Sequence, residues 1–142
     1  MKKVRWGIVG SGGIADRRTI PGLLKCGNAE LAACMDRDPD VARRIAQKYG
    51  AETYCSELSE LLAADIDAAY IATPVFVHEE QAEAVLAAGK HVLIEKPLAM
   101  SANAAERLVK AFRDRGLLVM AGYMMRYHNL HGEMKRIFAD GG

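Results

Sequence analysis

Residues 4–15 read VRWGIVGSGGIA, and small residues fall at Gly10, Gly12 and Ala15, where a short apolar run gives way to a helix-forming stretch. Few folds use that spacing. Gly10 permits a tight turn out of a strand. Gly12 has no Cβ to hold the backbone away from a ligand, and Ala15 lets the next helix pack closely on the strand. Such a turn presents the amino terminus of a helix, with its unpaired N–H groups and favourable dipole, to an anion such as a pyrophosphate. Gly13 adds flexibility without belonging to the spacing, and Ile14 lies in the same turn. A turn with a purely structural role is the alternative.

Asp36 follows Gly12 by 24 residues and closes the second apolar run. A carboxylate there can accept hydrogen bonds from both ribose hydroxyls of an adenosine. A 2′-phosphate in the same place would meet like charge, so the pattern favours NAD over NADP. Arg37 is placed to swing toward such a phosphate and keeps NADP open. The plainer reading of Asp36 is a turn or cap residue.

The rest of the chain alternates strand and helix signals. Strands are expected at 4–9, 30–35, 51–54, 66–72, 91–94 and 117–121. A helix starts near Gly13, and Pro21, lacking an N–H, opens a second helical piece with Thr19 or Ile20 just outside it and Leu23 and Leu24 packing inward. Asp38 and Pro39 form a cap and first-turn pair, Val41, Ile45 and Tyr49 give the next helix one apolar stripe, and Gly50 ends it. A short helix carries Leu58, Leu61 and Leu62. Another runs from Glu79 to Ala88, with Ala82, Val85 and Leu86 inward and Gly89 at its end. Ser101 caps a helix through Arg113 that buries Ala104, Leu108 and Phe112, and a terminal helix presents Leu130, Met134 and Ile137 or Phe138 on one face. Strands separated by helices of this length imply right-handed βαβ units. The expected fold is α/β, a Rossmann-like, doubly wound, mostly parallel sheet in a single domain.

At 142 residues the chain is long enough for one domain with its own core. Nineteen Lys and Arg against eighteen Asp and Glu give no basic or acidic run, so neither a nucleic-acid nor a membrane surface is indicated. Cys26, Cys34 and Cys55 form no CxxC pair and read as reduced, mostly structural thiols of a cytoplasmic protein, with an exposed redox thiol at Cys55 as the sharper alternative. Lys2 and Lys3 before an apolar stretch imitate a signal peptide, but Asp16, Arg17 and Arg18 interrupt it too soon. No apolar run has membrane-spanning length. His128 and His131 are three apart with no further ligand beside them, so no metal site is expected. His91, at the start of a strand, reads as structural.

Four segments together resemble the amino-terminal domain of the Gfo/Idh/MocA oxidoreductases: Gly10–Ala15, Ala72-Thr73-Pro74, Glu95-Lys96-Pro97 and Tyr123-Met124-Met125-Arg126-Tyr127. The resemblance covers essentially the whole chain, and Glu95-Lys96-Pro97 is its most specific part. It implies a two-domain enzyme moving hydride between a nicotinamide and a carbon of a sugar, polyol or related hydroxy or keto substrate. Residues 1–122 would be the dinucleotide-binding domain. Residues 123–142 would begin the crossover to a carboxyl-terminal substrate domain, α/β with a large sheet often used in forming homo-oligomers. The resemblance matches Thr73, Pro74 and His78 to the loop running past the cofactor's riboses and pyrophosphate, and His78 either touches the cofactor or caps a helix. It matches Glu95 to the nicotinamide side, Lys96 to the active-site lysine and Pro97 to a proline commonly cis in the family. Arg126 and Tyr123 match the bridge to the second domain, where they order the crossing loop or contact ligand.

Physical chemistry agrees on Lys96. A cation at the carboxyl end of a central strand lies in the crevice where doubly wound proteins hold ligands, and it can donate to a substrate oxygen and favour alkoxide character there. The family's proton-transfer residue, usually His, belongs to the second domain. The chain alone is therefore expected to bind NAD weakly and turn over nothing, and an apolar face is expected where the second domain docks. A non-catalytic NAD sensor and an S-adenosylmethionine enzyme are the competing readings, and the second leaves Glu95-Lys96-Pro97 without a task.

Overall fold

The computed structural model describes residues 2–140. Among these, β1 Val4–Val9, β2 Ala29–Met35, β3 Thr53–Cys55, β4 Ala68–Ile71, β5 His91–Ile94 and β6 Val119–Ala121 form one all-parallel sheet. The order is β3-β2-β1-β4-β5-β6, so the chain winds outward in one direction from β1 and in the other from β4. The carboxyl ends of all six strands share one edge. The gap between β1 and β4 on that edge is the switch point where such sheets hold ligands.

Three strands start later than their apolar runs, for one reason. Ala51 N–H donates to Ala46 O and Leu117 N–H to Phe112 O, so both residues finish the preceding helix instead of entering the sheet. Ile66 N–H is likewise held in a turn by Ala64 O. Pro21 opens a second helical piece with Thr19 just outside it, as expected, although no break separates that piece from the first. Residues 13–23 are helical throughout, with a π-helical turn at Ala15–Thr19 running into α1 Ile20–Leu23. Ile20 N–H reaches back to Ala15 O, and this wider turn places Pro21 in the first turn of α1, where its missing N–H costs little. Leu23 packs inward, whereas Leu24 is exposed, contrary to expectation.

The other helices follow their local signals. The Asp38 carboxylate accepts from Asp40 and Val41 N–H to start α2 Pro39–Tyr49, and Gly50 ends it in the left-handed region. α3 spans Leu58–Ala63, and α4 His78–Ala87 follows a 3₁₀ turn at Val75–Val77. Ser101 accepts from Ala104 N–H to cap α5 Ala102–Asp114, which buries Ala104, Leu108 and Phe112. A second 3₁₀ turn, Met124–Tyr127, leads to α6 Asn129–Ala139.

The core has two halves. Helices α3, α4 and α5 cover one face of the sheet around Val9, Ile71, Val85, Ile94 and Phe112. On the other face the 13–23 run and α2 pack on Ile8, Ile20, Cys34, Ile45 and Tyr70. The apolar face of α6 exists but joins neither core cluster among the described residues, and Leu130, Met134, Ile137 and Phe138 are all exposed. At the amino-terminal edge Arg5 pairs with Glu30, Glu52 and Asp65, which keeps the charges there within the protein. No helix among the described residues is long and apolar enough to cross a membrane.

Candidate functional site

The glycine turn is built against the ends of β2 and β4. Gly10 and Ser11 N–H both donate to Met35 O, at 2.9 and 3.0 Å. Gly10 has φ +78°, and a Cβ there would lie 3.0 Å from Thr73 Cγ2 and 3.2 Å from the Ala72 carbonyl carbon. Glycine is thus required twice over, by conformation and by the pressure of the β4 exit. At Gly12 a Cβ would come 3.3 Å from Val41 Cγ1 and 3.4 Å from Asp36 Oδ2. Gly13 and Ile14 open the helical run, whose first N–H groups have no partner inside a helix. Ala15 is fully buried in the core, which suits close packing of helix on strand.

Asp36 holds this turn from the β2 side. Its Oδ2 accepts from Gly12 N–H at 3.1 Å, and its Oδ1 accepts from Asp38 N–H at 3.2 Å. Between the three strand exits lies a groove of about 450 Å³, lined by Gly10, Gly12 and Gly13, by Met35, Asp36 and Arg37, and by Ala72, Thr73 and Pro74. Seven of the residues singled out from sequence therefore meet in one place. The groove also contains Phe76, Val77 and Gln81, which sequence reasoning missed. Phe76 is 72% exposed, an unusual setting for a large aromatic. Gln81 accepts from the Thr73 hydroxyl and fixes that side chain at the wall.

One strand further along the same edge, Glu95, Lys96 and Pro97 leave β5. Adjacent strands lie about 4.8 Å apart, so the exits of β1 and β5 are about 10 Å apart across the switch point. Lys96 is exposed, and the Lys96–Pro97 peptide is cis. Glu95 turns toward the face opposite α4. There the buried Tyr70 hydroxyl donates to Glu95 Oε1 at 2.6 Å and accepts from Thr19 Oγ1 at 2.9 Å. Glu95 Oε2 accepts from Lys96 N–H. Burial, reinforced by the Glu95 carboxylate, pushes the Tyr70 phenol well above its usual range, so it stays a donor. Sequence reasoning missed this relay, although a tyrosine in a strand buried on both faces always needs a partner for its hydroxyl.

The geometry is that of a dinucleotide site, and it agrees with the whole-chain comparison. The model of the oxidoreductase family with an NAD-binding Rossmann fold, GFO_IDH_MocA, matches residues 4–123. The chain belongs to the Gfo/Idh/MocA family. Among its relatives, the dTDP-3,4-didehydro-2,6-dideoxy-alpha-D-glucose 3-reductase of Streptomyces antibioticus is 38% identical over 98% of this chain and 42% of its own length. The 4-carboxy-2-hydroxymuconate-6-semialdehyde dehydrogenase of a Sphingobium strain is 36% identical over 90% of this chain and 41% of its own. The crystal structure of KijD10, a 3-ketoreductase from Actinomadura kijaniata in complex with TDP-benzene and NADP, superposes with a TM-score of 0.93 at 36% identity. It matches 99% of this chain with 44% of its own. GenD2 from gentamicin A biosynthesis, in complex with NAD, superposes with a TM-score of 0.81 at 32% identity, over 86% of this chain and 35% of its own. The chain thus spans well under half the length of these family members.

Some of the residues singled out from sequence lie away from the groove. His78 is 1% exposed, and its ring nitrogens lie against the carbonyl oxygens of Thr73 and Pro97. The ring makes no helix-cap bond. Arg126 and Tyr123 are exposed around the second 3₁₀ turn, and Tyr123 borders a smaller cavity that also holds Glu95 and Tyr70. His128 and His131 are exposed on and beside α6, and His91 accepts from Leu118 N–H at the start of β5. All three cysteines are free; burial pushes the Cys34 thiol up to about 12 and raises that of half-buried Cys55.

Proposed function

We propose that this chain is the cofactor-holding half of an NAD(P)-dependent oxidoreductase acting between a hydroxyl and a keto group of a carbohydrate-like substrate. The observation that carries this reading is the shared edge: the glycine turn and the Asp36 carboxylate line the groove at the β1–β4 switch point, and Lys96 leaves β5 on the same edge of the sheet. A cofactor fits the residues there, since Gly10, Gly12 and Gly13 line the groove without side chains, beside the Asp36 carboxylate and at the start of the helical run. When bound, a nicotinamide cofactor supplies or accepts the hydride.

The chain's own residues bind and orient. Gly12, Gly13 and Ile14 hold the pyrophosphate, Asp36 accepts from the adenosine ribose hydroxyls, and Thr73 and Pro74 form the opposite wall. Lys96 donates to the substrate oxygen and stabilises the negative charge that gathers on it as the C–H bond breaks or forms. Glu95, held by Tyr70, keeps the turn that carries Lys96 in place. NAD is the favoured cofactor because of the Asp36 carboxylate, and Arg37 on the groove rim admits NADP, the cofactor in the KijD10 complex. The 3-ketoreductase relatives make a keto sugar carried on a nucleotide the first substrate class to test.

Residues 1–122 serve as the dinucleotide domain and 123–142 as the start of the link to a substrate domain. The exposed Met124, Tyr127, Leu130, Met134, Ile137 and Phe138 are the surface on which that domain docks. Titrating this chain with NADH and NADPH by fluorescence tests the reading. Saturable binding with no turnover is expected. Absence of binding at millimolar cofactor, or NAD reduction by the chain alone, would overturn it.

A further inference from the structure

His78 opens α4 and is closed off from solvent, yet its ring is fully engaged in polar contacts. Nε2 lies 2.8 Å from Thr73 O and Nδ1 3.0 Å from Pro97 O. Thr73 leaves β4, lines the groove and presses on the turn at Gly10. Pro97 directly follows Lys96 at the exit of β5. One buried ring thus joins the wall of the cofactor groove to the turn that carries the lysine.

Both partners are carbonyl oxygens, which only accept. The ring donates to one of them in either neutral tautomer and to both only as the imidazolium, and in each form the carbonyl oxygens occupy the space in front of both nitrogens. Direct contact with a ligand would require breaking one of these bonds inside the protein. Helix capping needs a side-chain acceptor for backbone N–H groups, which this arrangement does not supply. What the ring does is hold two strand exits at a fixed separation.

We propose that His78 is a positioning residue: it locks the Lys96–Pro97 turn against the Ala72–Pro74 turn and so sets where the Lys96 amine meets the groove. The inference rests on the reading of Lys96 as the group that meets the substrate oxygen. Lys96 itself is exposed on a long, flexible stem, so its placement depends on the turn beneath it. Without the ring, at least one of the two carbonyl oxygens loses its donor and the turn is free to shift, and displacements of about 1 Å are enough to cost rates about 100-fold.

The test compares wild type, His78→Phe, Lys96→Met and the double variant in turnover by the full-length protein, with NADH affinity and Tm measured alongside. His78→Phe keeps the ring's bulk and removes every ring N–H that can donate to Thr73 O or Pro97 O. The expected result is a fall in kcat of about tenfold or more with NADH affinity held within about threefold, and no further fall in the Lys96→Met background. An unchanged kcat, a loss matched by lost NADH affinity, or a full additional loss on top of Lys96→Met would overturn the proposal.

If His78→Phe does not fold, His78→Asn takes its place, and long-range ¹H–¹⁵N correlation on this chain decides. Ring N–H protons of His78 that exchange far more slowly than those of exposed His128 support the lock, and equal exchange overturns it. A wild-type protein that binds no NADH and turns nothing over refutes the functional reading instead, and the ring exchange still reports on the lock.

Discussion

Replacing Asp36 by Asn separates two roles that one carboxylate performs. An ionised carboxylate offers about four acceptor sites. Gly12 and Asp38 N–H take one site on each oxygen, at 3.1 and 3.2 Å, which leaves one site per oxygen for the two ribose hydroxyls. An asparagine presents one oxygen and one NH₂, so its amide nitrogen must face one of those backbone donors. At least one ribose contact is lost with it, and a charge-assisted hydrogen bond contributes about 1.5–3 kcal/mol, or about 10- to 150-fold in NADH affinity. NADPH responds in the opposite sense. Two like charges about 4 Å apart in a solvent-facing groove repel by about 1–4 kcal/mol, and Asp36→Asn removes that repulsion. The NADPH-to-NADH ratio of dissociation constants is expected to fall by at least about two orders of magnitude. Fluorescence titration at two salt concentrations provides the check, because the NADPH gain is screened by salt and the NADH loss much less so. Equal changes for both cofactors, or no change for either, would remove Asp36 from the ribose site and leave it as a brace for the glycine turn.

Two further outcomes follow from single contacts. Tyr70→Phe takes from Glu95 a buried, charge-assisted hydrogen bond worth about 1.5–3 kcal/mol, so Tm should fall by about 5–10 °C. The loss should shrink sharply in a Glu95→Gln background; a Tm within about 1 °C of wild type would refute the relay. Asp16, which accepts from Lys48 Nζ at 2.7 Å and from the Tyr49 hydroxyl at 2.9 Å, ties the π-helical turn to α2. Its carboxyl is held below the usual value of 3.8, first by Lys48. Its contribution is therefore complete above that value and lost as pH falls through the lower folded value. Asp16→Asn should lower Tm at neutral pH, with the gap to wild type closing below about pH 4; a gap constant down to about pH 2 would show that the ion pair contributes nothing.

The legible parts of this protein are those whose cause is local. Asp38 before Pro39, Gly50 after Tyr49 and Ser101 before Ala102 mark helix ends because each acts within a few residues of itself. Gly10, Gly12 and Ala15 are local in the same way, and Asp36 was within reach because one βα unit fixes its offset from Gly12. The strand starts were misplaced because Ala51 and Leu117 are claimed by the helices before them, a competition that an apolar run does not display. Tyr70 finds its partners 51 residues back at Thr19 and 25 residues on at Glu95, and His78 finds one 19 residues on at Pro97. No periodicity encodes such pairs; they exist only after β4 and β5 lie side by side.

Amphipathic α6 marks the same boundary from the other direction. Its residues specify an apolar face correctly, while the surface that would cover that face has no counterpart among residues 2–140. A helical pattern reports that burial is wanted and is silent about what supplies it. Local signals therefore carried the cofactor turn, whose contacts recur in every fold of this type. The contacts that Tyr70, Glu95 and His78 make around the Lys96–Pro97 turn join residues far apart in the chain and had to be seen in three dimensions.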